Sequence, residues 1–255
     1  MALYAGPHEA ARRTVRLYAE VGGDGGALLY TFEPPGLAAR GYSLQEALDR
    51  ALDGYTELAQ MQAQATGAGQ RPFPELTFTI VEQVNRRGVV GNGRTSATFG
   101  PDLAPVSAEE IPGILALLGE SRRRLLELRP QLDSPGAAGL MEYRSLPHRM
   151  TIRRHLEHIA SAEKWYLSHI WRDLPRLRPR RDVWQRLDAV RAQVVQTLAA
   201  AGAMALCEQT SVSGETWTVR KVVRRLMYHE KFHRDAIRRD LGLALAGRRQ
   251  SQAPG

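Results

Sequence analysis

"VVRRLMYHEKFHRDAI", residues 222–237, spaces Val222, Leu226, His229, His233 and Ile237 in steps of three and four. That is the period of one helix face, and it places two histidines on or beside an apolar stripe. At i, i+4 on a helix, two side chains lie about 6 Å apart along the axis and only ~40° apart around it, so both reach one metal ion. Letter for letter, "HEKFH" is also the HExxH pattern of zinc metalloproteases, in which Glu230 would serve as general base. Such a site needs a third ligand, usually a His or Glu further along the chain. The sequence after His233 contains neither, only Asp235 and Asp240 on the same helix. The third ligand is therefore expected upstream, and peptidase activity is not expected.

The upstream supply is "MTIRRHLEHIASAEKWYLSHIW", residues 150–171, with His155, His158 and His169. Its apolar stripe runs through Ile152, Leu156, Ile159, Tyr166 and Ile170. At ~100° per residue His155 falls inside the stripe, with His158 and His169 on its flank. Periodicity alone slightly prefers His155. The competing reading is ordinary packing, since a lone histidine on such a stripe is more often a core residue. Two at i, i+4 are harder to dismiss, because each buried neutral imidazole must find partners.

Bulk properties bound the function. A chain of 255 residues that is 43% hydrophobic and 24% charged has the composition of a globular protein and is long enough for two ordinary cores. One cysteine, Cys207, excludes an internal disulfide, suits a reducing compartment and reads as a small buried residue. No signal-like start and no apolar run of ~20 residues is present, so a cytoplasmic protein without a membrane partner is expected. A net charge of +8 invites nucleic acid. Only three of the 35 basic residues are lysine, and the arginines are dispersed apart from "SRRR" (121–124) and "RLRPRR" (176–181). A solvated basic surface is the favoured reading and nucleic acid the disfavoured one. A small-molecule substrate and a homodimer both remain open.

Two periodicities divide the chain. After a tail over 1–13, residues 14–21 alternate as a half-buried strand, "GGDGG" (22–26) allows a tight reversal, and "ALLYTFEP" reads as the partner strand. Ser43 and Glu46 form a capping box for the following helix, and two strand-like runs follow at 76–84 and 95–101. Residues 14–104 are thus expected to form a small α+β domain with extra strands. From 105 to 242 the two-residue period is gone. Four amphipathic stretches near 107–129, 149–171, 182–203 and 215–241 make an all-α four-helix bundle the economical solution. Residues 243–255 read as a disordered tail.

"TFEPPGLAARGYSLQEALDRAL" (31–52) within 14–62 resembles the HicB-like fold of small antitoxin-type domains. That resemblance implies a protein- or nucleic-acid-interaction module. "TIRRHLEHIASAEKWYL" (151–167) followed by "WTVRKVVRRLMYHEKFHRDAI" (217–237) resembles the DinB/YfiT superfamily over about 106–242. The resemblance implies a four-helix bundle holding a divalent metal, zinc by default and nickel or another first-row ion as alternatives. Carried over, the helix-2 ligand falls on His158 and the HxxxH pair on His229 and His233. His155 stands where the family usually has an aliphatic residue, which leaves it as a pocket residue, a partner of a ligand, or a rival ligand.

Characterised members of that superfamily include thiol-dependent S-transferases and a mycothiol-dependent maleylpyruvate isomerase. The resemblance therefore implies a metal-dependent transferase, isomerase or hydrolase in which the ion acidifies a low-molecular-weight thiol. Arg153, Arg154, Arg224 and Arg225 are candidates to hold the thiol's carboxylates. The alternative is a metal-stabilised binding protein whose HicB-like half recognises a partner. Glu163 is a candidate acceptor for a ligand's N–H. Trp165, Tyr166 and Trp217 are candidate pocket walls, with ordinary core packing the competing reading. Glu230 is read first as a solvated or ion-paired residue near Lys231 or Arg234.

Overall fold

The alternating residues near the N-terminus form β1 (Arg13–Gly22), which turns into β2 (Ala27–Phe32) with antiparallel pairing of Tyr18 to Tyr30 and Val21 to Ala27. Gly25 takes φ +79° in this reversal, a region that costs glycine nothing. β3 (Pro35–Gly41) then pairs with β2. In this computed structural model the described residues are 13–67, 75–90, 95–134, 137–145 and 150–251, with side chains to 246. Two helices follow β3, α1 (Leu44–Asp49) and α2 (Ala51–Thr66), and the chain returns as β4 (Leu76–Arg86), parallel to β1. The sheet order is β3-β2-β1-β4. Ser43 accepts from the Glu46 amide as the capping box requires, while the Glu46 carboxylate reaches back to the amide of Tyr42.

One face of the sheet packs Val15, Leu17, Ala19, Ala27 and Leu29 against Ala47, Ala51, Tyr55 and Leu58 of the helices. On the other face Tyr18, Tyr30 and Phe32 cluster around Phe99. The expected strand over 95–101 is not a strand. Ala97 and Phe99 are buried as the alternation implies, yet the amides of Ser96 and Ala97 donate to the carboxylate of buried Glu20. A side chain takes the place of a strand ladder there.

The chain divides into two compact units between Phe99 and Gly100, not between 104 and 105. Asp102 accordingly belongs to the helical unit, where it is fully buried against Arg224 at 2.6 and 2.9 Å. The main helices of this unit are α3 (Ile111–Leu126), α5 (Ile152–Ser168), α6 (Val183–Ala200) and α8 (Val219–Ser251), with short α4 (Arg129–Leu132) and α7 (Ala203–Leu206) between them. α5 packs on α6 and α8, and α3 packs on the same two helices. Leu125, Ile152, Leu156, Ile159, Trp184, Leu187 and Ile237 are among the residues that fill the centre.

Two expectations fail here. The fourth helix does not begin at 215, because β5 (Gln209–Val212) and β6 (Glu215–Thr218) form a hairpin across Ser213 and Gly214, both at positive φ. Nor is the stretch after 242 a disordered tail, since α8 continues through Ser251; residues 252–255 lie outside the described residues, as do 1–12 of the expected N-terminal tail. No helix among the described residues is long and apolar enough to cross a membrane.

Candidate metal centre

Two capped helices carry the site. Thr151 accepts from the Arg154 amide at the start of α5, and Thr218, the last residue of β6, accepts from the Lys221 amide at the start of α8. The helices run antiparallel, since His155 meets His233, His158 meets His229, and Tyr166 meets Arg225. One ring nitrogen from each of His158, His229 and His233 lies within 4.8 Å of the others. These three are close enough to bind a metal ion. The Nε2 atoms of His229 and His233 are 3.2 Å apart. Ligands bonded at 2.0–2.1 Å to one ion stand roughly 2.9–3.4 Å apart, so that pair has the separation of neighbouring ligands.

His155 does not join this group. Its Nδ1 lies 2.7 Å from Nδ1 of His233, on the other side of that ring from the Nε2 facing His229. Helical periodicity had favoured His155, and the tertiary packing brings His158 to the convergence point instead. His169 is also apart, enclosed by Trp165 and Trp217 at ring separations of 4.2 and 4.3 Å.

The donor set suits a divalent ion. Burial is the main cause that drives the basicity of His229 down to about 3, with the nearby His158 and Arg225 adding to it. Burial, then the charge of Arg154, lowers His158 as well. Both imidazoles are thus neutral at pH 7 and present lone pairs without first losing a proton. His229 Nδ1 is buried with no hydrogen-bond partner among the described residues. His158, by contrast, is exposed, so the group opens toward solvent on its side.

The glutamate of HEKFH faces elsewhere. Glu230 is fully buried; its Oε1 accepts from Ser121, and its Oε2 accepts from Arg122 at 2.7 Å and Arg191 at 3.0 Å. It is ion-paired as expected, but not near solvent and not with Lys231 or Arg234, which both pair with Asp235. Burial works to raise its pKa, and the charges of Arg191 and Arg122 outweigh that and hold it low. Glu163 joins the same cluster, accepting from Arg122 at 2.6 Å and from Arg191. Two carboxylates and two guanidiniums alternate there, so this buried group balances its charge. Glu163, the candidate acceptor for a ligand's N–H, is thus engaged by Arg122 and Arg191 instead.

The aromatic candidates divide. Tyr166 lies edge-on to His229 at 5.7 Å and stacks on Trp217, so it does border the centre. Trp217 is almost fully buried and belongs to the interior, whereas Trp165 is half exposed over His169. Arg225 lies over the Tyr166 ring at 5.0 Å. Of the other arginines, Arg224 is committed to Asp102 and Arg153 to Glu142. Cys207 is exposed, contrary to the expectation of a small buried residue.

The hairpin β5–β6 and the Arg122–Arg191 cluster were not read from the sequence. "SVSGETWT" did carry a signal for the hairpin, a Ser-Gly pair between alternating β-formers. The arginine cluster had none, because its bonded members are 28 to 109 positions apart and come from four helices. No family model, curated protein or solved structure matches the chain.

Proposed function

We propose that the helical unit is a DinB-like four-helix bundle whose His158, His229 and His233 hold a divalent metal, and that it works as a metal-dependent transferase or isomerase of the thiol-dependent kind. The observation that carries this reading is the convergence of three imidazoles from two helices with one of them exposed. Zinc is the default occupant and nickel the alternative for three nitrogen donors. A bound divalent ion supplies Lewis acidity toward a thiol or another acidic group. The chain's part is to present three neutral donors, so that no ligand charge offsets the ion's, and to border the group with Tyr166 and Arg225. Cys207 is exposed just after α7 and is not one of the three converging residues, and the thiol in this reading comes from a small molecule.

The test has two stages. Metal content of the purified chain is expected to be one ion, lost in each of the His158→Ala, His229→Ala and His233→Ala variants. Cobalt-loaded protein titrated with low-molecular-weight thiols is then expected to develop a sulfur-to-metal charge-transfer band. No band with any cellular thiol, alongside normal cobalt uptake, would leave the metal site and remove the thiol chemistry.

A second reading, a metal-stabilised binding protein, draws on the N-terminal unit, which has its own sheet and core and resembles an interaction module. An ion that exchanges no ligand with added thiols, cyanide or azide would favour it.

A further inference from the structure

We infer that His155 is a positioning residue for the metal centre: it accepts a hydrogen bond from Nδ1–H of His233 and thereby commits His233 to coordinate through Nε2. This inference rests on the reading of His158, His229 and His233 as metal ligands. The distances separate the two kinds of contact. At 2.7 Å the Nδ1 atoms of His155 and His233 are closer than two ligands of one ion stand, and at the length of a strong hydrogen bond. The opposite edge of His233 faces His229 at the ligand-like 3.2 Å. A neutral imidazole has one N–H and one lone pair. With the lone pair of His233 at Nε2, its proton sits on Nδ1 and points at His155. His155 Nδ1 is then the acceptor, and its own proton is on Nε2.

Both rings are buried, each about 4% exposed, so water does not compete for this bond. α5 supplies His155 one helical turn before His158, and one element therefore delivers a ligand and the partner that orients another. The usual acceptor for a ligand's second N–H is a carboxylate or a carbonyl. Here the two nearby buried carboxylates, Glu163 and Glu230, are held by Arg122 and Arg191. A neutral imidazole does the orienting, which adds no negative charge behind the ligand set and keeps the ion's charge available to an anionic fourth ligand.

The experiment compares zinc affinity, by competition with a chromophoric chelator, in the wild-type chain, His155→Asn and His155→Leu. Asparagine places an acceptor oxygen near the position of Nδ1; leucine fills the space without one. The expected result is one ion per chain in all three, affinity within about threefold of wild type for His155→Asn, and about 10- to 100-fold weaker binding for His155→Leu. In ¹⁵N-resolved spectra of the zinc-loaded wild type, His233 is expected to show a slowly exchanging Nδ1–H and a metal-shifted Nε2. Wild-type affinity in His155→Leu, or coordination of His233 through Nδ1, would overturn the inference while leaving the metal site in place. Should His155→Leu not fold, the wild-type spectrum decides alone. A wild-type chain that binds no zinc would instead bring down the metal reading, and this inference with it.

Discussion

Burial removes the water that would solvate an imidazolium at His229, and it is this loss, more than any neighbouring charge, that holds the group near pKa 3 against an ordinary 6.5. In the metal-free chain the unfolded state therefore takes up a proton at higher pH than the folded state does. Stability from this residue is complete above about pH 6.5 and drains away as pH falls toward 3, by up to ~1.4 kcal/mol per pH unit per such histidine. His158 and His169 are shifted in the same direction, chiefly by burial, and add to the slope. Urea midpoints of the chelator-treated protein at pH 7.5 and pH 5 check this; equal midpoints would refute it. Glu230 gives a second prediction at the same scale. Glu230→Gln removes one of the two anions that balance buried Arg122 and Arg191, and is expected to cost about 3–5 kcal/mol in urea denaturation. Zinc stoichiometry should stay at one, because this carboxylate does not face the ion's position. Wild-type and variant should both lack chelator-sensitive cleavage of an unfolded protein substrate, and any such cleavage lost in the variant would revive the peptidase reading.

α8 owes its starting point to the hairpin before it. Ser213 and Gly214 adopt φ of 52° and 78°, the pair of left-handed residues that lets two short strands reverse with the twist they need. β6 then ends at Trp217 and Thr218, and the Thr218 hydroxyl caps the first turn of α8 while donating to the carbonyl of Asp102. A register error here would rotate Arg225, His229 and His233 together, because all three lie on one helix face. No atom crowds the place of a Gly214 side chain, so Gly214→Ala carries only the conformational cost, about 1 kcal/mol. The Thr218→Val change removes the cap and is expected to cost about 1 kcal/mol as well. Thermal midpoints of the two variants and their sum test both; a neutral Thr218→Val would show that the hydroxyl contributes nothing to the start of α8.

At the scale of the molecule, the two units have separate cores, and all four tryptophans, residues 165, 171, 184 and 217, belong to the helical one. Tryptophan emission therefore reports the unit that holds the candidate centre. Zinc at a hundred times its dissociation constant is expected to stabilise the emission-reported transition by about 2.7 kcal/mol, with reversal by chelator and no effect in His158→Ala. An unchanged transition with bound zinc would mean that the ion binds folded and unfolded chain alike.

What the sequence determined by itself is what local periodicity carries. The two-residue alternation of 14–21 and 76–84, the capping residue Ser43, and the three-and-four spacing of α5 and α8 mark where β1, β4, α1, α5 and the first turns of α8 lie. The pair His229 and His233 was legible for the same reason, since one helix turn fixes their separation whatever surrounds them. Tertiary packing alone decided the rest. His155 and His158 are three residues apart on one helix, and which of them converges with the α8 pair depends on how α5 is rotated against α8. That rotation is set by contacts among residues far apart in sequence. The same holds for Glu230, whose role as a buried counter-ion required arginines from two other helices, and for residues 95–99, whose alternation is that of a strand but whose amides found the carboxylate of Glu20. Periodicity records which side of an element is buried, whereas the partner on that side is a property of the assembled fold.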